Sequence, residues 1–139
     1  MSAPTVADCR EEIERLHDFF VAWYTGETGD FEPMAAAIAD DFEMIGPDGD
    51  RVGATGVLEM VREIHDEYDI GEFDIDIRNV EMVDAGDGYA VTRYEEWQTT
   101  PEGESGRLST ALFHTDDEAP AGFSWVTVHE TWLDEGDSD

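Results

Sequence analysis

Four histidines, one cysteine and many carboxylates are the side chains from which a reactive site could be built. The string Thr127-Val-His-Glu-Thr-Trp-Leu133 invites a zinc reading, because His129-Glu130 begins as the H-E-x-x-H pattern does. That chemistry needs two imidazoles one helical turn apart, and position 133 is Leu133. The string also alternates as a strand does, which sends His129 and Glu130 to opposite faces and rules them out as a pair. With Cys9 and the scattered His17, His65, His114 and His129, no tetrahedral ligand set is apparent. Neither a metal nor another cofactor is expected.

General acid–base chemistry is what these residue types allow. Strict alternation of the last strand puts Phe123, Trp125, Thr127, His129 and Thr131 on one face, and Val126, Val128, Glu130 and Trp132 on the other. Both sets are partly apolar, so both faces are expected to be covered. His129, with an ordinary pKa near 6.5, suits a general base; a structural hydrogen-bonded histidine is the competing reading. In the strand two before it, Tyr89, Val91, Arg93, Glu95 and Trp97 share a face. A buried Arg and carboxylate on such a row must pair or meet a ligand. Glu95 and His129 are therefore the catalytic candidates. Arg93 would orient Glu95 or hold an anionic group, and Trp97 and Trp132 would form apolar walls. Tyr94 and Glu96 form the equivalent row on the opposite face, and alternation does not say which row points inward. His17 and Tyr24 flank a helical apolar stripe, from which polar tips could reach a ligand or simply rim a core.

The elements that must position these groups follow from periodicity. Thr5-Val-Ala-Asp8 is a capping-box start. Cys9, Ile13, Leu16, Phe20 and Trp23 then form one helix face, ended by Gly26. A second helix is expected over 31–39, capped by Asp30 and with Pro33 in its first turn. Phe42 to Ile45 reads as a short strand, Gly46-Pro-Asp-Gly49 as a turn, and Val57, Val61, Ile64 and Tyr68 as one face of a third helix. From Gly71 the period becomes two. Four long strands follow, with a bulge near Asn79 where the apolar phase shifts and a hairpin turn at 84–88. One domain over 1–139 is expected, its core at about 7–133 with an acidic tail at 134–139.

Asp and Glu total 36 against 7 basic residues, giving a formal net charge of −29, and every basic residue is Arg. Such a surface repels itself unless salt screens it. The acids are spread along the chain and Lys is absent, as in proteins of salt-accumulating halophiles. The charge also argues against nucleic acid or an anionic membrane as partner. No leader-like segment or membrane-spanning apolar run is apparent, so a cytoplasmic protein is expected.

The order of elements resembles the NTF2-like superfamily, also described as SnoaL-like or cystatin-like. Asp40-Asp-Phe-Glu-Met-Ile-Gly-Pro-Asp-Gly49 is similar to the first-hairpin entry of its DUF4440-type members. Tyr94-Glu-Glu-Trp-Gln98 and Trp125-Val-Thr-Val-His-Glu-Thr-Trp132 are similar to their late-strand strings. The resemblance implies an α+β cone with three N-terminal helices packed on a curved, mainly antiparallel sheet. It further implies a homodimer through the sheet and a pocket for a small molecule between sheet and helices. It allows a cofactor-free isomerase, hydrolase or cyclase working by proton transfer, a non-catalytic ligand-binding module, or a dimerisation module. It also brings Asp40-Asp41 and the Asp74, Asp76, Arg78 set into view as site candidates, beside the simpler readings of exposed loop and solvated face.

The charge generates a direct expectation. The thermal unfolding midpoint should rise steeply from dilute buffer to molar KCl as screening removes self-repulsion. A midpoint indifferent to KCl would contradict that reading.

Overall fold

The computed structural model describes residues 3–117, 119 and 122–133; the acidic tail at 134–139 lies outside the described residues. Helix α1 (Val6–Tyr24) starts at the capping box: Thr5 Oγ1 accepts from the Asp8 amide and Asp8 Oδ2 from the Thr5 amide, both at 3.1 Å. It buries Cys9, Ile13, Leu16, Phe19 and Trp23, and with them Glu12 and His17. Two polar side chains on a core-facing stripe need partners inside the fold.

The second helix is shorter than its sequence pattern predicts. Helix α2 (Glu32–Ala35) is a single turn, and β1 (Ile38–Ile45) already begins where the helix was expected to continue. Tertiary pairing wins here: Ile38 stands opposite Trp125, and the Trp125 amide donates to the Ala37 carbonyl at 2.8 Å. Strand β2 (Arg51–Gly53) returns from the turn, and helix α3 (Ala54–Glu63) follows. Helix α3 stops before Ile64 and Tyr68. Asp66, at φ 61°, turns the chain so that its amide and that of Tyr68 donate to the carbonyls of Trp23 and Tyr24. The N-terminal half therefore carries one long helix and two short ones.

Strands β3 (Asp74–Gly86), β4 (Tyr89–Thr100), β5 (Gly103–Thr115) and β6 (Phe123–Trp132) complete a six-stranded sheet of order β2-β1-β6-β5-β4-β3. All neighbours are antiparallel except β1 and β6, which run parallel, so the sheet is mixed. Asn79, at φ 56°, sits at the expected break in register between β3 and β4. A second break falls in β6: Leu112 pairs with Thr127, but Phe113 pairs with Trp125. The extra residue breaks strict alternation, so Trp125, Val128 and Glu130 are all buried against the helices.

The concave face carries the core. Tyr94, Ala111, Phe113, Trp125 and Val128 meet Ile13, Leu16 and Val61 from the helices. Glu12 is fully buried among them. Its carboxylate accepts from Trp125 Nε1 at 2.7 Å and from Arg15 Nε and Nη2 at 2.8 and 2.9 Å. Glu12 thereby ties α1 to β6 with a charge that is fully hydrogen-bonded. On the opposite face Gly106 stands beside Trp97, whose ring would lie 2.6 Å from any Cβ at that position. Among the described residues no helix is long and apolar enough to cross a membrane.

Candidate functional site

A cavity of about 300 Å³ opens between α1, α3 and the concave face of the sheet. Leu16, Phe20, Phe42, Val61, Phe73 and Trp125 give it apolar walls, and half-exposed Met60 stands at its rim. Its polar groups converge at one place, and each comes from a different element.

His17 of α1 sits in that cluster, 4% exposed. Its Nδ1 is 2.7 Å from the Ile13 carbonyl oxygen, which only accepts, so Nδ1 carries a proton. Its Nε2 is 3.1 Å from Glu96 Oε1 on β4, and the other Glu96 oxygen accepts from Gln98 Nε2 at 2.7 Å. Two acceptors on one ring hold His17 as an imidazolium beside an ionised Glu96. Burial works against the imidazolium, but Glu96 and the Ile13 carbonyl outweigh it and raise the His17 pKa. Burial likewise works to raise the Glu96 carboxyl, yet His17, Arg107 and Gln98 together hold it well below the usual carboxylate range.

Glu130 of β6 has the opposite balance. Burial pushes its carboxyl up, the neighbouring Glu96 charge adds to this, and Arg107 only partly opposes them, leaving it at about 7. Arg107 of β5 bonds Glu130 Oε1 from Nη1 at 3.1 Å, and its guanidinium lies 4.8 Å from the Trp132 ring. Sheet register explains the grouping: Glu96, Arg107 and Trp132 form one cross-strand row, and Tyr94, Ser109 and Glu130 the next. Burial first, then Glu96 and Glu130, keeps the Tyr94 phenol protonated far above its ordinary range; burial does the same for Tyr24. Two carboxylates pushed apart in proton affinity, beside two cations and protonated phenols, make an arrangement able to give and take a proton near neutral pH.

His17 and Tyr24 therefore line the cavity, as does neither Arg93, Glu95, Trp97 nor His129. Those four lie on the other face of the sheet. Arg93 and His129 are exposed there in one cross-strand row with Thr110, whose Oγ1 accepts from Arg93 Nε at 3.3 Å. Glu95 accepts from Trp97 Nε1 and Asn79 Nδ2, both at 2.9 Å, and these hydrogen bonds lower its pKa. Trp97 is partly covered by the Arg78 guanidinium. Trp132 is 47% exposed, caps Arg107 from outside the cavity and donates to Asp48 at 3.0 Å. Asp40, Asp41, Asp74 and Asp76 are exposed. The inward row is Tyr94 and Glu96, with Arg107 and Glu130 beside it. Arg107 is not among the sequence candidates; its period-two spacing from Ser109, Ala111 and Phe113 is the signal that places it on the inward face. Among the described residues no group of three or more His, Cys, Asp or Glu side chains is placed to hold a metal ion.

The sucrose-6-phosphate phosphohydrolase C-terminal family matches this chain over residues 11–134, and the chain belongs to that family. No curated protein matches it. Among solved structures, an NTF2-like protein of unknown function from Pseudomonas aeruginosa is 29% identical, covering 91% of this chain and 98% of that one at a TM-score of 0.83. An uncharacterised protein with a cystatin-like fold from Caulobacter vibrioides is 16% identical, covering 91% and 88% at 0.64. The CaMKII hub of S. rosetta is 12% identical, covering 96% and 100% at 0.73. The fold is thus NTF2-like, an α+β cone of the cystatin-like type.

The cluster imposes a pH profile on stability. Glu130 titrates near its ordinary 4.5 when unfolded and at about 7 when folded. The fold therefore binds that proton more tightly, and stability is lost as pH rises through this window. At about 1.4 kcal/mol for each pH unit, the loss is on the order of a few kcal/mol. His17, also raised, adds a loss in the same direction as pH climbs through its folded pKa; Glu96, lowered, costs stability only on acidification. Urea unfolding in molar KCl should show wild type losing ground to Glu130→Gln between about pH 4.5 and 7. Parallel profiles would show that Glu130 titrates normally.

Proposed function

We propose that this member of the sucrose-6-phosphate phosphohydrolase C-terminal family binds a small, largely apolar molecule with one polar end, and exchanges a proton with that end through Glu130. The observation that carries the reading is the placing of a carboxyl of pKa about 7 beside Arg107 within a cavity of otherwise apolar walls. A carboxyl that titrates near neutrality can act in either direction at cellular pH. Glu96, held ionised by His17 and Gln98, is a fixed charge rather than the proton carrier. Tyr24 and Tyr94 supply protonated phenols to the same space. A phosphorylated sugar suits this cavity poorly, because its hydroxyls would face aromatic and aliphatic walls. The acidic surface is read as adaptation to a salt-rich cytoplasm.

The convex face of the sheet favours self-association, with a second copy as partner. Val91, Leu108, Leu112 and Val126 are only partly buried there, around the Arg93–Thr110–His129 row. The similarity in fold to a CaMKII hub agrees with such a role. Sedimentation in molar KCl should give a dimer that Leu112→Glu converts to monomer; a wild-type monomer would remove this use of the face.

The functional reading is tested with a library of small apolar molecules, each bearing one polar end. Binders are found by thermal shift and then followed by NMR in D₂O for deuterium incorporation or conversion. Wild type should bind apolar members and turn over at least one, while Glu130→Gln binds as well and loses turnover by about 100-fold or more. Binding without turnover in wild type would replace catalysis by ligand binding alone. An absence of binders would contradict both.

A further inference from the structure

The floor of the cavity holds an unmade bond. Arg107 Nε is fully enclosed and has no hydrogen-bond partner, although Nη1 of the same guanidinium is committed to Glu130. A buried cationic N–H left unpaired is costly, and native folds rarely leave one unless something else arrives to accept it. Of its neighbours, His17 is engaged with the Ile13 carbonyl and Glu96, and Glu96 with His17 and Gln98, while Ser109 Oγ is a second buried atom without a partner, but a neutral one. Arg107, which lines the cavity, is thus the cation of this cluster whose hydrogen-bonding capacity is not fully used.

Charge balance gives the sign of that ligand. The charged groups sharing the space are His17 from α1, Glu96 from β4, Arg107 from β5 and Glu130 from β6. The phenols of Tyr24, Tyr68 and Tyr94 also face it. When Glu130 carries its proton, two cations face one carboxylate and a single positive charge is left over. A neutral carbonyl would satisfy the Arg107 N–H but leave that charge unanswered. A phosphate dianion would overshoot it. A monocarboxylate answers both, and the apolar walls accept the hydrocarbon attached to it.

We infer that the ligand of this cavity is an apolar monocarboxylate, whose carboxylate accepts from the Arg107 guanidinium and next to which Glu130 is held protonated, so that binding takes up a proton from solvent. The inference rests on the small-molecule reading above and sharpens it. A carboxylate bound there makes Glu130 enter the complex as proton donor, not as base. The balance is simple: one proton moves from solvent to the Glu130 carboxyl as one anion enters, and no other bond changes.

The probes are 4-phenylbutyrate and its primary amide, followed by calorimetry in molar KCl with two buffers of different ionisation heat. The carboxylate should bind with net proton uptake, and its Kd should weaken by about tenfold for each pH unit above neutrality. The amide should bind more weakly and without pH dependence. Glu130→Gln should keep carboxylate binding but lose both the uptake and the pH dependence. Arg107→Gln should abolish the preference for carboxylate over amide. Binding of the amide as tightly as the acid, or of the acid without proton uptake, would overturn the inference and leave the small-molecule reading standing. Failure of both probes would also overturn it, with the library experiment still deciding whether the cavity is used at all.

Discussion

Four charges buried at one point of an apolar cone constrain the rest of the molecule. His17, Glu96, Arg107 and Glu130 come one each from α1, β4, β5 and β6, and pair as His17–Glu96 and Arg107–Glu130. Each desolvated charge is tolerable only because the others are within reach. A slip of β4 or β6 by one residue would replace Glu96 or Glu130 at the floor with its outward neighbour and strand the cations. The cluster therefore specifies register more than it supplies stability. The same crowding forces two carboxyls to differ: one stays ionised against His17, and the other holds its proton near neutrality.

The elements were legible in the sequence to the extent that local chemistry decided them. The capping box, the stripe from Cys9 to Trp23, the turn at Gly46 to Gly49 and the phase shift at Asn79 each have a local cause and appear where that cause puts them. Helix α2 is short because a distant strand claims Ile38, and no local signal announces that. The site was legible in its residue types but not in its geometry. A strand with mixed residues on both faces gives two rows, Arg93-Glu95-Trp97 and Tyr94-Glu96-Gln98, and alternation cannot tell which one the helices cover. The bulge in β6 compounds this, because Trp125 and Glu130 would lie on opposite faces in an unbroken strand yet both point inward. His17 and Tyr24 reach the cavity because the side of α1 that carries them is turned to the sheet.

The two faces of the sheet divide the protein's properties. Outside, carboxylates crowd a surface with few cations, and the solvent's ions must supply the balance. Inside, the charges balance among themselves to within one proton, at a depth where bulk salt screens little. The charges of the cavity are thereby screened less by solvent ions than those of the exterior. Membership of a family named for part of a phosphohydrolase does not carry that enzyme's substrate to these residues, because fold and chemistry are separable.

The central claim is that Glu130 titrates near neutrality because burial, and then Glu96, hold its proton on. Carbon-13 NMR of the side-chain carboxyls, assigned by comparison with Glu130→Gln, tests it most directly. The account predicts one Glu resonance with a midpoint at about 7, missing from the variant, while Glu96 stays ionised throughout. A Glu130 midpoint at the ordinary 4.5 would contradict it.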